Sequence, residues 1–302
     1  QLPTKFVEET PKIFDNNTLG AGFKFSEVNA EELLERTVRL LNVPYTRLMF
    51  IECENIDTYK SKVRPLIKEW IKSCVDKSNG PVDWYLVFYV PNSDAADTKS
   101  KTRVFEKLRL DFTAEGEIDR CIKLKSKYSN TLEENESWNS LVGKLKNGIL
   151  YSFTERLETL RNGLVMLNDD KEKRNSNLMA YFALLEGFAR QFLLMHLFED
   201  ALGEYDRLAS VLKEHQNNSS YFPNASLDFS SEHKTNLMEL VSSECLFTVS
   251  DTSLSLFKLK AYVFAKQFVV LDSLSDSASS MSISSIHVSE FLRRLHVFSA
   301  EI

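Results

Sequence analysis

Residues with catalytic potential are scattered along this sequence rather than grouped. The five histidines are His196, His215, His233, His287 and His296. They form no His-Glu-x-x-His pair, the spacing that places two zinc ligands on one face of a helix. No Gly-x-Ser-x-Gly turn occurs, and Glu31/Glu32 and Asp169/Asp170 are typical of solvated helix starts and turns. Because His196 lies in an apolar helical pattern, we interpret it as a core or helix-end residue. The sequence therefore assigns no catalytic residue and no metal ligand.

A nucleotide site would need a loop whose backbone amides, together with a lysine, surround the phosphates. No Gly-x-x-x-x-Gly-Lys-Ser/Thr segment is present, and the nearest glycine cluster, Gly20-Ala21-Gly22, precedes the first expected strand. Glu52 and Glu54 follow that strand, where two carboxylates would repel phosphate. We expect no cofactor; a nucleotide-dependent switch stays open as an alternative that rests on the order of the elements alone.

The cysteines indicate a reduced, cytosolic protein. They are Cys53, Cys74, Cys121 and Cys245, with no Cys-x-x-Cys spacing, so we expect buried thiols rather than a zinc or redox motif. No signal peptide is recognisable, and the longest apolar run, Val82–Val90, is far shorter than the ~18 residues of a membrane span.

Composition bounds the class of protein. The 302 residues suggest roughly two domains, and a hydrophobic share of 43% is enough for a packed core. A formal net charge of -6 disfavours nucleic-acid binding, which needs a basic face. Only 9 glycines argue against a large all-β fold with many tight turns.

Within residues 1–126, the first 30 show no sustained period, Glu31–Leu41 is predicted to be a short helix, and from Thr46 strand and helix patterns alternate. Thr46–Cys53, the nearly continuous apolar run Val82–Val90 and Asp119–Lys125 are predicted strands. Helical patterns lie between them, over Tyr59–Cys74 and Val104–Phe112, with Pro91–Ser100 as a polar loop. Helices between strands imply parallel pairing, so we predict a small α/β domain that ends near residue 126.

Residues 127–302 are predicted to form helices without strands, joined by a charged turn at Asn168–Asn177 and a polar loop over 213–235. One long apolar stripe runs from Trp138 to Leu160, and two more, Leu178–His196 and Phe198–Leu212, form a helical hairpin with tetratricopeptide-like spacing. A further helix covers Phe257–Leu271, and the serine-rich stretch that follows is predicted to be flexible. We expect an α-solenoid whose array continues beyond residue 302.

Two sets of apolar residues have alternative interpretations. Trp70, Trp84 and Trp138 all lie on predicted stripes, which favours core packing, whereas a stacking site would require exposure. The stripe Leu178–His196 fits the interior of the helical array better than a docking face for a partner helix.

Several segments, in order and at matching spacing, resemble one family, the 130 kDa subunit of the TRAPP II complex (TRAPP subunit 10 in animals). The matching segments are Val82-Asp83-Trp84, Val104–Phe112, Asp119-Arg120-Cys121, Glu136-Ser137-Trp138-Asn139, Lys144-Leu145, Ser152-Phe153-Thr154, Gln191-Phe192, Phe198–Leu202, Tyr205–Leu208 and Tyr262–Gln267. They span roughly residues 45–270, and the strongest lie between Gln191 and Leu208.

This resemblance implies a GTPase-like fold without nucleotide machinery, followed by an α-solenoid. It implies a non-catalytic scaffold and specificity subunit of a complex that promotes GDP release from Rab-family GTPases and tethers vesicles at the late Golgi. The implied partners are the small core subunits and other large subunits of TRAPP II, with a Rab and the Golgi membrane reached through the complex. No partner-binding residue is assigned. A general helical-repeat adaptor, with Tyr205 lining its groove, is the alternative.

Overall fold

The computed structural model describes residues 30–77, 82–91, 95–113, 118–168, 178–216, 256–277 and 281–301. In chain order the elements are α1 (Ala30–Asn42), β1 (Thr46–Ile51), α2 (56–77), β2 (Asp83–Val90), α3 (Ala95–Phe112), β3 (Cys121–Lys125), α4 (Thr131–Asn168), α5 (Leu178–Leu194), α6 (Phe198–His215), α7 (Leu256–Ser277) and α8 (Met281–Glu301). Within these ranges the chain is mostly helical, with one small parallel sheet.

The sheet confirms the predicted order of strands and helices. β1 and β3 both pair with the central β2, and both pairings are parallel. One face carries Met49, Ile51, Leu86 and Phe88, which pack in one apolar cluster with residues of α2 and α3. Because side chains alternate along a strand, the intervening residues face the other way and need a separate cover.

Helix α4 covers that second face. Leu141 and Leu145 on its N-terminal half pack with Tyr85, Val87 and Ile122 of the sheet. Its 38 residues correspond to about 57 Å at ~1.5 Å per residue. The C-terminal half therefore extends past the sheet, where Leu160, Leu164 and Leu167 join the core of the helical layer. One helix belongs to both layers.

Helix α5 lies at the centre of the helical layer. It packs against α1, α4 and α6, and α6, α7 and α8 then pack successively. Twelve of its 17 residues are buried, so it is apolar around most of its circumference. This arrangement confirms that the stripe Leu178–His196 is internal core. α1 precedes the sheet in sequence but packs against α5.

The turn between α5 and α6 is a Schellman motif. The Leu197 N–H donates to the Phe192 carbonyl at 2.9 Å and the His196 N–H to the Leu193 carbonyl at 3.1 Å. His196 occupies the left-handed position, with φ 58°, which usually selects glycine. This position confirms the helix-end interpretation of His196.

Helix α2 starts unevenly. Its first turn, Ile56–Thr58, leads into a π-helical turn, Tyr59–Val63, before the regular segment Arg64–Lys77. Pro65 lies two residues after the end of the wide turn, as expected for a residue that lacks an N–H and clashes with the preceding turn.

Two segments that were predicted to be irregular are helical where the structure describes them, so those predictions are wrong. α3 begins at Ala95, inside the predicted loop Pro91–Ser100, because Ala95 and Ala96 favour helix. The serine-rich stretch is helical over 273–277 and again from Met281. Its hydroxyls bond to carbonyls one turn earlier, as from Ser277 to Ser273 at 2.9 Å, so serine is compatible with helix here.

Gly148 of α4 marks the closest approach of that helix to the sheet. A Cβ atom there would lie 2.8 Å from Asp83 Oδ2 and 2.8 Å from the Tyr85 hydroxyl oxygen, whereas a Cβ at Gly143 meets nothing within 4 Å. We predict that Gly148→Ala lowers the free energy of unfolding by ~1–3 kcal/mol through overpacking. Gly143→Ala, in the same helix, should be neutral or stabilising by up to ~1 kcal/mol. Urea unfolding of both variants checks this; equal effects would contradict the close approach.

Candidate functional site

The histidines are not brought together by the fold. His196 is exposed at the α5–α6 turn with its ring edge-on to Phe198 at 5.4 Å. His215 is buried at the end of α6 with Nδ1 2.9 Å from the Val211 carbonyl oxygen. His287 and His296 lie on α8, and His233 lies outside the described residues. Among the described residues no group of three or more His, Cys, Asp or Glu side chains could hold a metal.

The three described cysteines are buried and form no disulfide bond with one another, as predicted, and Cys245 lies outside the described residues. Burial raises the pKa of the Cys121 thiol to about 11, and the nearby Asp119 carboxylate adds to the shift. A thiol with that pKa is protonated at neutral pH and is a poor nucleophile. Cys121 therefore serves packing at the start of β3.

The buried carboxylates are used in structural clusters. Asp83, at the start of β2, accepts hydrogen bonds from Arg120 and from the Tyr85 hydroxyl at 2.7 Å. Asp111, at the end of α3, is 2.9 Å from Lys107 and 3.1 Å from Arg64. Burial opposes ionisation of Asp111, but hydrogen bonds from Lys107 and Tyr59 and the charge of Arg64 lower its pKa overall. Each carboxylate is committed to cations and hydroxyls and is poorly placed as a base.

The C-terminal edge of the sheet is where α/β proteins bind nucleotides, at a point where the strand order reverses. Here the order β1-β2-β3 follows the chain without a reversal. Glu52 and Glu54 are exposed just after β1, as the sequence suggested. The described residues at this edge form no phosphate-binding loop, so the geometry does not support the nucleotide-dependent switch.

The most elaborate polar arrangement joins the two layers around Tyr45, just before β1. The Tyr45 carbonyl oxygen accepts hydrogen bonds from the Asp83 N–H at 3.1 Å and the Ser152 hydroxyl at 2.7 Å. The Tyr45 hydroxyl donates to Oε1 of Gln191 on α5 at 2.6 Å. One residue thus touches the sheet, α4 and α5; we call it, with Ser152, Arg156 and Gln191, the Tyr45 junction.

Arg156 is the largest fully buried side chain at this junction. Its Nη2 donates to the Pro44 carbonyl at 2.8 Å, and its guanidinium lies 4.2 Å from the centre of the Tyr45 ring. Burial lowers the pKa of Arg156. An arginine is suited to this place because its planar group stacks on an aromatic ring while its nitrogens reach a carbonyl.

A second polar cluster fixes α8. Arg294 forms an ion pair with Asp206 of α6 and donates to Glu290 at 2.8 Å. Gln267 of α7 also donates to Asp206, at 2.8 Å. Beside it, Phe264 stacks on Phe298 with ring centres 4.6 Å apart. No sequence pattern identifies this cluster, because its charged and polar members are far apart in the chain and each is an ordinary surface residue type.

The tryptophans divide into two kinds. Trp70 and Trp84 pack against the core on the α2–α3 face, as predicted. The prediction of core packing is wrong for Trp138, which is 47% exposed, and the neighbouring Val142 is 60% exposed. The predicted stripe Trp138–Leu160 includes more positions than are buried. In its first turns only Leu141 and Leu145 pack against the sheet. The described residues thus offer exposed apolar surface rather than a reactive cleft.

Comparison with known proteins identifies a family for this chain. The family model described as trafficking protein particle complex subunit 10-like, N-terminal, matches residues 9–174. That match covers more than half of the chain. The chain belongs to this family.

Curated relatives carry the same name. Subunit 10 of the trafficking protein particle complex is 30% identical over 191 residues in both Mus musculus and Homo sapiens, covering 61% of this chain and 15% of each relative. The complex II-specific subunit 130 homolog of Arabidopsis thaliana is 28% identical over 239 residues, covering 77% of this chain and 18% of the relative. This TRAPP-family chain therefore spans under a fifth of the length of these relatives. No solved structure matches it.

No helix among the described residues combines the length and the apolar character needed to cross a membrane.

The Tyr45 junction can be tested by removing one hydroxyl. Tyr45→Phe keeps the ring under Arg156 but leaves the buried Gln191 amide oxygen without its donor. An orphaned buried polar group costs ~1–3 kcal/mol, so we predict a loss of that size in the free energy of unfolding. Tyr89→Phe is the matched control, since Tyr89 is partly exposed on the same sheet. A loss of similar size in both variants, measured by urea unfolding, would contradict the role of the junction.

The α8 cluster predicts a dependence on pH. Hydrogen bonds from Arg293 and the charges of Arg294 and Arg293 lower the pKa of Glu290 from 4.5 to about 2. Its stabilising contribution is therefore complete above pH 4.5 and is lost as the pH falls from 4.5 towards about 2. Because the pair is screened by solvent, the loss should stay below ~1 kcal/mol.

The measurement is the free energy of unfolding of Glu290→Gln and of the parent chain between neutral and acidic pH. Glu290→Gln should flatten the acid part of the curve, whereas Glu136→Gln, at an exposed position of α4, should not. Identical acid profiles for the parent chain and Glu290→Gln would rule the contribution out.

Proposed function

We propose that the chain is a non-catalytic scaffold and specificity subunit of the TRAPP II complex, acting in Rab guanine-nucleotide exchange and vesicle tethering at the late Golgi. The supporting observation is the family match over residues 9–174, together with relatives whose names are those of complex subunits. In this proposal the partners are the small core subunits and the other large TRAPP II subunits. A Rab-family GTPase and the trans-Golgi membrane are reached through the complex, from the cytoplasm.

The arrangement of the elements supports a scaffold role. The proposed architecture is a GTPase-like α/β domain over residues 1–126 and the start of an α-solenoid over residues 127–302. The successive packing of α5, α6, α7 and α8 is compatible with such an array. The boundary near residue 126 stays a prediction; contacts between α1 and α5 cross it.

The alternative, a general helical-repeat adaptor, has less support. It expected Tyr205 to line a binding groove, but Tyr205 is buried in the core of the helical layer. Tyr205→Glu would therefore destabilise the fold rather than remove a contact. No groove in the described residues favours the adaptor over the scaffold.

The test of the proposal is co-elution of the folded chain with the reconstituted TRAPP core and, separately, with the other large TRAPP II subunits. We expect a stable complex with at least one of them. We also expect no GDP release from a Rab when the chain is added alone. Binding to none of the subunits would overturn the scaffold proposal.

A panel of single glutamate substitutions then locates the contact. Leu66, Leu110, Val142, Val165 and Leu292 are large, exposed apolar residues on different helices or faces. Glutamate at such positions leaves the core intact, so each variant is a control for the others. At least one should weaken co-elution without changing the unfolding midpoint.

A further inference from the structure

The outer edge of β1 is unpaired in the part of the chain that the structure describes. β1 pairs with β2 on one side only. The Tyr45 carbonyl points to β2, because it accepts the Asp83 N–H at 3.1 Å. Backbone groups alternate in direction along a strand, so the N–H and C=O groups of Thr46, Leu48 and Phe50 point to the free edge. The outward-pointing backbone groups of these three alternate residues form a template for another strand.

Apolar side chains border this edge on both faces of the sheet. Phe50 of β1 is 65% exposed and Leu66 of α2 is 55% exposed. Arg64 pairs with Asp111 of α3, so Leu66, two residues further around the helix, lies on the flank of α2 away from α3, beyond β1. We call the free β1 backbone with Phe50, Leu66, Trp138 and Val142 the β1-edge surface.

Trp138 and Val142 border the same edge from the other face. Lys144 pairs with Asp119 at 3.2 Å and donates to the Cys121 carbonyl at 2.8 Å, so its flank of α4 faces β3. Helical periodicity places Val142 on the opposite flank, nearer to β1, and Trp138 lies one turn before Val142 on the same side of the helix. The exposed side chains of Trp138 and Val142 therefore belong to the β1-edge surface.

The other edge strand, β3, is protected against pairing with a further strand, whereas β1 is not. β3 carries Lys123 and Lys125, and Lys125 forms an ion pair with Glu133 of α4. Lysines on an edge strand oppose pairing with a further strand. β1 has no lysine, and its central residues are apolar.

The charges at the two ends of β1 are complementary to those of an antiparallel copy of the same strand. Arg47 lies at the N-terminal end, and the exposed Glu52 and Glu54 lie just after the C-terminal end. None of the three forms an ion pair with the described residues. An antiparallel copy of the same strand would bring each Arg47 end against a Glu52–Glu54 end. It would also place Leu48 opposite Phe50, a favourable apolar cross-strand pair.

We propose that the β1-edge surface pairs with β1 of a second copy of this chain, antiparallel about a twofold axis near Met49. The two sheets then form one six-stranded sheet with a self-complementary interface. The twofold axis keeps α2 of both copies on one face, where the two Leu66 side chains meet, and α4 of both copies on the other. This inference is independent of the proposed function.

Charge exchange provides the decisive experiment, with sedimentation equilibrium as the measurement. The chain itself should be a dimer. Arg47→Glu, and separately the double variant Glu52→Lys/Glu54→Lys, should each self-associate roughly tenfold more weakly, because like charges then meet at both ends. An equimolar mixture of the two should dimerise as tightly as the parent chain, because all end contacts become attractive again.

Two further variants separate the edge from general surface effects. Phe50→Lys places a charge on the edge and should abolish the dimer. Leu110→Lys, at an exposed position on α3, should leave it intact. Circular dichroism verifies that each variant is folded. A parent chain that stays monomeric, or a mixture that fails to dimerise, would overturn the proposal, as would capture of β1 by a strand of another protein in its place.

Discussion

A parallel sheet must be covered on both faces, and this requirement organises the whole described structure. Two crossover helices can cover only one face of a three-stranded sheet whose strands follow in chain order, so a third helix has to cover the other. That helix is α4, and its excess length carries the chain out of the sheet and into the helical layer. The long helix gives α5 a surface to pack on, and α6, α7 and α8 follow outward from α5.

The polar groups that are buried in this arrangement stabilise the joints between elements. The Tyr45 junction joins the sheet to α4 and α5, and the Arg294 cluster joins α8 to α6 and α7. The Tyr262 hydroxyl likewise donates to the buried Glu186, joining α7 to α5. Buried charge of this kind specifies one packing geometry more than it adds stability. In both clusters the ionisable groups are therefore engaged by neighbouring side chains and backbone.

Much of the fold was predictable from the sequence because periodicity reports burial directly. The run Val82–Val90 is typical of a strand buried on both faces, and the apolar stripe Leu178–His196 indicates a helix in the interior of the helical array. Side-chain exposure was less predictable: Trp138 has the residue type of a core position, but which flank of α4 faces the sheet depends on Gly148 and the Tyr45 junction. The junction itself joins residues more than a hundred positions apart, which no local pattern reports.

The packing of α1 against α5 has a consequence for synthesis on the ribosome. α1 ends at Asn42 and α5 ends at Leu194, so 152 further residues must be made before α5 is complete. At ~5–20 residues per second, roughly 8 to 30 s pass after α1 is made before its packing partner is complete. Throughout that interval the face of α1 that packs on α5, with the buried Leu40, lacks its main partner. The packing of α1 is thus completed only after the whole sheet and α4 have been made.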